Sequence, residues 1–132
     1  MKIMIDTNIL ISAFVFGGRI RHLIELLPVK QCEVYITKYI DNEFKKKLND
    51  KFPEKREAAI SAYTQMNFTI YPSTDEVLGT LRDKKDIPVL SDALHYDVDI
   101  LLSGDKDFLE SGIKRPKIIS PATLWEYLLQ RQ

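Results

Sequence analysis

The chain has 132 residues, of which 45% are hydrophobic and 29% charged, an ordinary composition for a globular protein with a sizeable core. Basic and acidic residues balance at 19 each, so nucleic-acid binding would depend on a local group of cations and not on bulk charge. The lone Cys32, expected to be buried, excludes an internal disulfide and a cysteine-rich zinc site. No apolar run approaches the roughly 20 residues of a membrane span. We expect a single domain over residues 1–132 in the cytoplasm, since the chain opens on a core strand and leaves no room for a signal peptide.

Short apolar runs alternate along the chain with segments of helical spacing. The runs predict strands at 2–5, 32–36, 67–71, 99–103 and 117–119. The other segments predict helices from Ile9 to Gly17 and over 19–27, 38–49, 54–66 and 75–81, then one that starts near Pro88 and a last one over 121–130. Strands that alternate with helices form a parallel sheet covered on both faces, so the predicted fold is a three-layer α/β/α architecture.

Three polar residues, Asp6, Thr7 and Asn8, follow the first apolar strand. We expect Thr7 or Asn8 to cap the next helix, because their side-chain oxygens can accept its free N–H groups. A carboxylate at the carboxyl end of a buried strand lies where open α/β sheets bind their ligands. Asp6 is therefore the first candidate ligand of an acidic metal site.

Further carboxylates occupy matching positions later in the chain. Glu43 lies near the start of the helix after the second strand, and Asp86 lies at the start of the helix before the fourth. Asp105 follows that fourth strand, with Asp107 two residues on. These groups converge at one edge of the sheet if the first and fourth strands are neighbours. Clustered carboxylates repel unless a cation neutralises them, and all-oxygen ligands select Mg²⁺ or Mn²⁺, which can activate water and neutralise charge on a phosphodiester.

Each of these carboxylates also has a structural explanation when it is taken singly. An aspartate at a strand end often serves in a cap or turn, and a glutamate near a helix start is favourable for the helix dipole. Asp83 and Asp92 lie near the third acidic position as well. Asp86 matches that position best, and we expect Asp92 to face outward.

Three segments of the sequence resemble the PIN-domain ribonucleases. They are Ile-Asp-Thr-Asn-Ile-Leu-Ile-Ser-Ala around Asp6, Asp-Ile-Pro-Val-Leu-Ser-Asp-Ala from Asp86, and Ile-Leu-Leu-Ser-Gly-Asp-Lys-Asp-Phe around Asp105. The resemblance implies a Mg²⁺- or Mn²⁺-dependent endoribonuclease of three-layer fold that cuts single-stranded RNA. It implies that Asp6, Glu43, Asp86 and Asp105 are the acidic ligands, with Asp107 as a further candidate. Asn8, with Thr7 beside it, and Ser103 match the polar positions that support the first ligand.

The subgroup that the sequence resembles contains toxin components of toxin–antitoxin pairs. This implies an antitoxin partner, and family resemblance also implies a homodimer. An antitoxin would lay an apolar or basic segment over the active-site groove. We expect Phe14, Phe16 and Tyr39 to be exposed and to form its docking sites.

Basic residues beside the acidic motifs are candidates for contacts with the RNA backbone, and the set is Arg19, Arg82, Lys84 and Lys106. The run 45–47 is expected to be a solvated helix face, as most charge runs are. His22 and His95 lack metal-ligand spacing and are expected at the surface. Without a placed histidine, the attacking water would be activated by metal and carboxylate.

Other functions remain open at this point. A haloacid-dehalogenase-like phosphatase also begins from an aspartate after its first strand, but it requires a second aspartate where this chain has Asn8. A phosphoacceptor receiver domain requires an acidic pair that is absent here, although Lys106 is present. A catalytically inactive PIN-like scaffold that binds RNA or a protein would need none of these groups to hold a metal.

Overall fold

The computed structural model describes residues 1–130 and contains a five-stranded parallel sheet. The strands are β1 (Lys2–Ile5), β2 (Glu33–Thr37), β3 (Ile70–Tyr71), β4 (Ile100–Leu102) and β5 (Lys117–Ile119). Their spatial order is β3-β2-β1-β4-β5, and every neighbouring pair is parallel. The chain therefore builds one half of the sheet outward from β1, then returns to the other side of β1 for β4 and β5.

The central strand β1 is buried on both faces. Ile3, Met4 and Ile5 each have no exposed surface, although successive side chains of a strand point to opposite faces of the sheet. Helices must therefore cover both faces, and the predicted three-layer α/β/α architecture is confirmed.

The helices are α1 (Thr7–Ile11), which continues as a π-helical turn (Ser12–Phe16), α2 (Gly18–Val29), α3 (Lys38–Lys51), α4 (Arg56–Gln65), α5 (Ile87–His95), α6 (Lys106–Leu109) and α7 (Pro121–Gln130). Two short 3₁₀ turns, Pro53–Lys55 and Lys84–Asp86, precede α4 and α5. Helix α3 packs against α1, α4 and α5, while α2 packs against α7. These contacts fix the starts of α1, α3 and α5 relative to the sheet.

An aromatic cluster holds α3 and α4 against the π-helical turn. The ring of Phe14 meets Phe44 and Tyr63 edge to face, with centroids 6.2 and 5.6 Å apart. Phe44 is fully buried, and Phe14 is only 5% exposed. The expectation that Phe14 is exposed for docking is therefore wrong. Phe16, two residues on, is 65% exposed, and Tyr39 is partly buried.

The end of α2 and the start of β3 differ from the boundaries that the sequence predicts, and the local backbone explains both differences. Helix α2 continues through Pro28 to Val29, since a proline in the last turn removes only one helical hydrogen bond. Strand β3 is shorter than the predicted 67–71, because Asn67 adopts a left-handed φ of 59° that ends the preceding helix and delays the strand.

The predicted helix at 75–81 is absent, and an irregular connection runs over residues 72–83 instead. Side chains of α5 bind its backbone: Asp92 accepts the N–H of Thr74 at 2.9 Å, and Ser91 accepts that of Leu78 at 3.1 Å. Gly79 packs so closely on α5 that a β-carbon would lie 2.8 Å from Cδ2 of Leu90. Tertiary contacts thus replace the hydrogen bonds of a helix.

Cys32 is buried and free, as predicted. Within the described part of the chain, no helix combines the length and the apolar character needed to cross a bilayer.

Candidate active site at the carboxyl edge of the sheet

The strand order brings the first and fourth acidic motifs together. Strands β1 and β4 are parallel neighbours, with Ile5 opposite Leu102, and the N–H of Asp6 donates to the carbonyl of Leu102 at 3.0 Å. Asp6 and Ser103 therefore leave the sheet side by side. The chain crosses from β1 to β2 on one side and returns to β4 on the other, so this is the switch point at which open α/β sheets bind ligands.

Asp6 is a buried carboxylate at this edge, with 4% of its surface exposed. One carboxylate oxygen accepts the N–H of Thr7 at 2.8 Å, and the other accepts the hydroxyl of Ser103 at 2.9 Å. Asp6 itself is thus the N-cap of α1, so the prediction that Thr7 or Asn8 caps this helix is wrong. An aspartate caps a helix as well as asparagine does, and it also lies in the required extended conformation.

Burial raises the pKa of Asp6 from 3.8 to about 6. The hydrogen bonds from Ser103 and Thr7 oppose this rise, whereas the carboxylates of Glu43 and Asp105 add to it. Because the charges of Glu43 and Asp105 act on Asp6, these three carboxylates lie near one another. The structure therefore brings the carboxylates after β1, in α3 and after β4 into one cluster.

Ser103 connects the two strand ends. Its fully buried hydroxyl donates to Asp6 and accepts the N–H of Asp105 at 3.1 Å. Asp105 caps α6, because one of its oxygens accepts the N–H of Asp107 at 2.8 Å. That bond uses one oxygen of the Asp105 carboxylate.

Asp86 lies at the N-cap position of α5, on the same edge. Its Oδ2 atom is buried and has no hydrogen-bond partner among the described residues. Burial raises the pKa of Asp86, and the neighbouring carboxylates of Asp105 and Asp6 raise it further. A buried carboxylate oxygen without a donor is costly, and a bound cation is one way to satisfy it.

Glu43 lies on α3 between two residues at four-residue spacing, Tyr39 and Lys47. The hydroxyl of Tyr39 lies 2.9 Å from Oε2 of Glu43, and burial followed by this bond raises the pKa of Tyr39 to about 12. The ammonium of Lys47 lies 3.9 Å from Oε1 of Glu43 and donates to Oδ1 of Asn8 at 2.9 Å. The side chain of Glu43 is therefore held toward the start of α1.

Asp83, Asp86 and Asp107 form a second group of carboxylates, which has Asp86 in common with the first group. One oxygen from each lies within 4.8 Å of the others, and among residues 1–130 no other trio of possible ligands has this spacing. Arg82 donates to Asp107 through Nε at 3.2 Å and through a second guanidinium nitrogen. Sequence spacing alone favoured Asp86 over Asp83, whereas the turn before α5 brings both to the site.

A family model for the PIN domain matches residues 2–107 of the chain. The chain belongs to the PIN-domain family. The match covers all four acidic positions that the sequence resemblance proposed, so that resemblance is confirmed at the level of the family.

Two solved structures share the fold of this PIN domain. VapBC2 from Rickettsia felis, solved with a DNA fragment of its promoter, aligns with a TM-score of 0.68 and 16% identity over 91% of this chain and 97% of that one. VapC20 from Mycobacterium tuberculosis, described as a toxin that cleaves the sarcin–ricin loop, aligns with a TM-score of 0.59 and 16% identity over 86% and 99% of the two chains. No curated protein sequence matches this PIN domain.

Asp92 does not face outward as predicted. It is 1% exposed, and it accepts the hydroxyl of Ser73 at 2.8 Å and the N–H of Thr74 at 2.9 Å. Ser73 in turn accepts the N–H of Tyr39 at 2.8 Å. Asp92 therefore ties the irregular connection to α5 and to the start of α3, which is a structural task in this PIN domain.

The remaining predicted residues take varied positions. Thr7 is buried, and its hydroxyl is unbonded within residues 1–130. Lys84 and Lys106 are exposed next to the second carboxylate group, whereas the Arg19 guanidinium lies 5.4 Å from the ring centre of Trp125. His22 and His95 are exposed, as predicted.

The run 45–47 is not the uniform solvated face that the sequence suggested. The ammonium of Lys45 lies 3.1 Å from the buried carboxylate of Asp41, and that of Lys47 reaches Asn8. Lys46 alone of the three is directed to solvent without a polar contact within the described chain. The four-residue spacing of Tyr39, Glu43 and Lys47 was the sequence signal for this arrangement.

The residues of this PIN-domain site fit a divalent cation. The donors are all carboxylate oxygens, which hard ions such as Mg²⁺ and Mn²⁺ prefer. The buried, unbonded Oδ2 of Asp86 and the raised pKa of Asp6 both identify carboxylates that lack a neutralising partner. The described chain places no histidine or cysteine among them.

Proposed function

We propose that this protein is an endoribonuclease that hydrolyses phosphodiester bonds of single-stranded RNA with the help of Mg²⁺ or Mn²⁺. The observation that carries the proposal is the convergence of Asp6, Glu43, Asp86 and Asp105 from four separate segments. The charges of Glu43 and Asp105 raise the pKa of Asp6, and those of Asp105 and Asp6 raise the pKa of Asp86. A fold gains no stability from such repulsion, so a function that needs several carboxylates explains it better than a structural one.

In this proposal Asp6, Asp86 and Asp105 hold the cation. Their oxygens are less tightly grouped than those of Asp83, Asp86 and Asp107, which all lie within 4.8 Å of one another, so Asp83 and Asp107 would extend the site at Asp86. When bound, the ion would neutralise the carboxylates, lower the pKa of a water molecule and offset charge on the phosphodiester. Ser103 keeps Asp6 and the backbone of Asp105 in fixed relative positions through its two hydrogen bonds.

Glu43 is proposed as the residue that orients the attacking water or takes up its proton. Its carboxylate has one oxygen bonded to Tyr39 and the other in a long contact with Lys47, so its direction is set from both sides. Asn8 stands two residues after Asp6, where a haloacid-dehalogenase-like phosphatase requires its second aspartate, and its side chain is engaged by Lys47. The phosphatase alternative therefore receives no support from these contacts.

We also propose that the chain acts as one nuclease domain, as the toxin of a toxin–antitoxin pair in the cytoplasm, and that it forms a homodimer. Support comes from the fold shared with VapBC2, which binds a DNA fragment of its promoter, and with VapC20, a toxin that cleaves the sarcin–ricin loop. Of the proposed docking residues, Phe16 is exposed and Tyr39 is partly so. Growth of a bacterial host that expresses the wild type or Asp6→Asn tests the toxin role, and light scattering tests the dimer.

Cleavage of a labelled single-stranded RNA tests the nuclease proposal directly. The wild type should cut the RNA with Mn²⁺ or Mg²⁺ and not with EDTA. Asp6→Asn should lower the rate by at least about 100-fold, the upper range for residues that merely orient metal ligands.

The matched control for Asp6→Asn is Asp50→Asn, which changes an exposed aspartate on α3 and should retain wild-type activity. Equal cleavage by wild type and Asp6→Asn, or equal cleavage with Mn²⁺ and EDTA, would contradict the proposal. Calorimetric titration with Mn²⁺ separates the inactive-scaffold alternative, because a scaffold has no need to bind the ion.

A further inference from the structure

Lys47 occupies a different place from the other lysines of its run. Residues 39, 43 and 47 follow one another at four-residue spacing, so Tyr39, Glu43 and Lys47 share the face of α3 that looks toward the start of α1. The side chain of Lys47 is 31% exposed, compared with 46% for Lys45. Lys47 is thus a partly enclosed cation at the rim of the carboxylate cluster.

The contacts of Lys47 leave part of its hydrogen-bonding capacity unused. Its hydrogen bond goes to the amide oxygen of Asn8, which carries no charge, and its separation from the Glu43 carboxylate is 3.9 Å. An ammonium has three N–H donors, so at least one remains free for another acceptor. Lys45 differs, because it lies 3.1 Å from the buried carboxylate of Asp41.

The position of Lys47 matches a need of the proposed reaction. The carboxylate cluster repels the phosphates of an approaching RNA, and the chain has no net charge to offset that repulsion. Lys47 donates to Asn8, two residues after Asp6, and lies 3.9 Å from Glu43, whose charge acts on Asp6. A lysine binds a phosphate as a compact point charge, without the fixed geometry that an arginine requires.

We propose that Lys47 is a substrate-contact residue whose ammonium binds a phosphate of the single-stranded RNA next to the bond that is cut. This inference rests on the proposed nuclease function and adds a substrate contact that the acidic motifs do not include. Asn8 holds the ammonium over the site in the free protein, and a phosphate oxygen takes up one of its remaining donors when RNA binds.

Steady-state cleavage of a labelled oligouridylate by the full chain with Mg²⁺ tests this contact. Lys47→Met keeps the length of the side chain and removes the charge, so KM should rise roughly five-fold, the equivalent of one exposed ion pair of about 1 kcal/mol. The value of kcat should change less than KM. Between about 50 and 200 mM NaCl, the slope of log(kcat/KM) against log[salt] should become shallower by about 0.7, because one phosphate contact is lost.

Lys47→Arg should restore the salt slope, since it restores the charge. Lys46→Met removes a neighbouring, solvent-directed lysine and should leave the slope unchanged. Urea unfolding of each variant shows whether the fold is intact, and Lys47→Gln serves as the second neutral variant. A purely structural tie between Lys47 and Asn8 would alter stability and leave the salt slope as in the wild type.

The possible outcomes distinguish a failure of the proposed Lys47 contact from a failure of the proposed nuclease function. A wild type that cleaves the RNA, with KM and salt slope of Lys47→Met equal to those of Lys46→Met, would overturn the role of Lys47 and leave the nuclease function standing. A wild type that does not cleave RNA with any divalent ion would overturn both.

Discussion

Removal of the charge of Asp6 should stabilise the cation-free protein while it abolishes the proposed activity. Burial raises the pKa of Asp6 from 3.8 to about 6, so the ionised carboxylate is unfavourable in the folded state. The folded protein keeps the proton up to about pH 6, whereas the unfolded chain releases it near 3.8. The contribution of Asp6 to the free energy of unfolding is therefore fully present below pH 3.8 and is lost as the pH rises through about 6.

The magnitude follows from the size of that shift. About two pKa units, at 1.36 kcal/mol per unit, give a penalty of about 3 kcal/mol at pH 7 for a carboxylate that is 4% exposed. Asparagine removes this penalty and retains an oxygen for the N–H of Thr7, but its NH₂ group faces the Ser103 hydroxyl, which must then turn. We therefore expect Asp6→Asn to gain about 1–2 kcal/mol after this imperfect bond is subtracted.

Urea unfolding at pH 7 with EDTA measures the gain, and the midpoint should rise by about 0.5–1 M for a slope of about 2 kcal/mol/M. Near about pH 4 most of the gain should disappear, because the folded wild type is then protonated at Asp6. With Mn²⁺ at about 100 times its Kd the wild type should gain about 2.7 kcal/mol and the variant much less.

Asp41→Asn is the matched control for this experiment. Asp41 is as buried as Asp6, but it is paired with Lys45 and bonded to Tyr63, so its replacement should destabilise the protein. If Asp6→Asn were as stable as the wild type in EDTA at pH 7, or less stable, the argument that the cluster is strained without a cation would be refuted.

Two further changes probe the supports of the site. Ser103→Ala removes the hydroxyl that joins Asp6 to the N–H of Asp105, so it should lower the free energy of unfolding by about 1–3 kcal/mol and the Mn²⁺ affinity by roughly 10–100-fold, measured by urea unfolding and calorimetry. A Mn²⁺ affinity equal to that of the wild type would refute this role. Asp92→Asn can accept only one of the two bonds that Asp92 makes, so it should cost about 1–2 kcal/mol of stability and leave the Mn²⁺ affinity unchanged. A large loss of affinity in this variant would place Asp92 in the metal site after all.

The parts of this molecule that follow from local pattern could be predicted from its sequence. The apolar run of β1 and the polar residues after it identified Asp6, and alternating strands and helices indicated the parallel sheet. The prediction required β1 and β4 to be neighbouring strands, and the strand order fulfils this condition. Regular elements carry their own signals because side chains repeat with the period of the backbone.

The parts that depend on distant contacts could not be predicted in this way. The helical position of Asp92 predicts an outward-facing side chain, but the connection at 72–83 folds over Asp92 and buries it. That connection contains residues that could have formed a helix, and hydrogen bonds to Ser91 and Asp92 hold it in an irregular form. Asp83 joined the acidic group for the same reason, since a 3₁₀ turn brings it beside Asp107.

The bond between Asp6 and Ser103 joins residues 97 positions apart in the chain. During synthesis, the first strand and its aspartate must therefore wait for most of the protein before β4 can pair with β1 and bring Ser103 and Asp105 into place. A chain that ends before β4 lacks Ser103 and Asp105 and therefore cannot complete the cluster. For an enzyme proposed to cut RNA inside the cell that makes it, this order of assembly ties the appearance of the metal site to the near completion of the polypeptide.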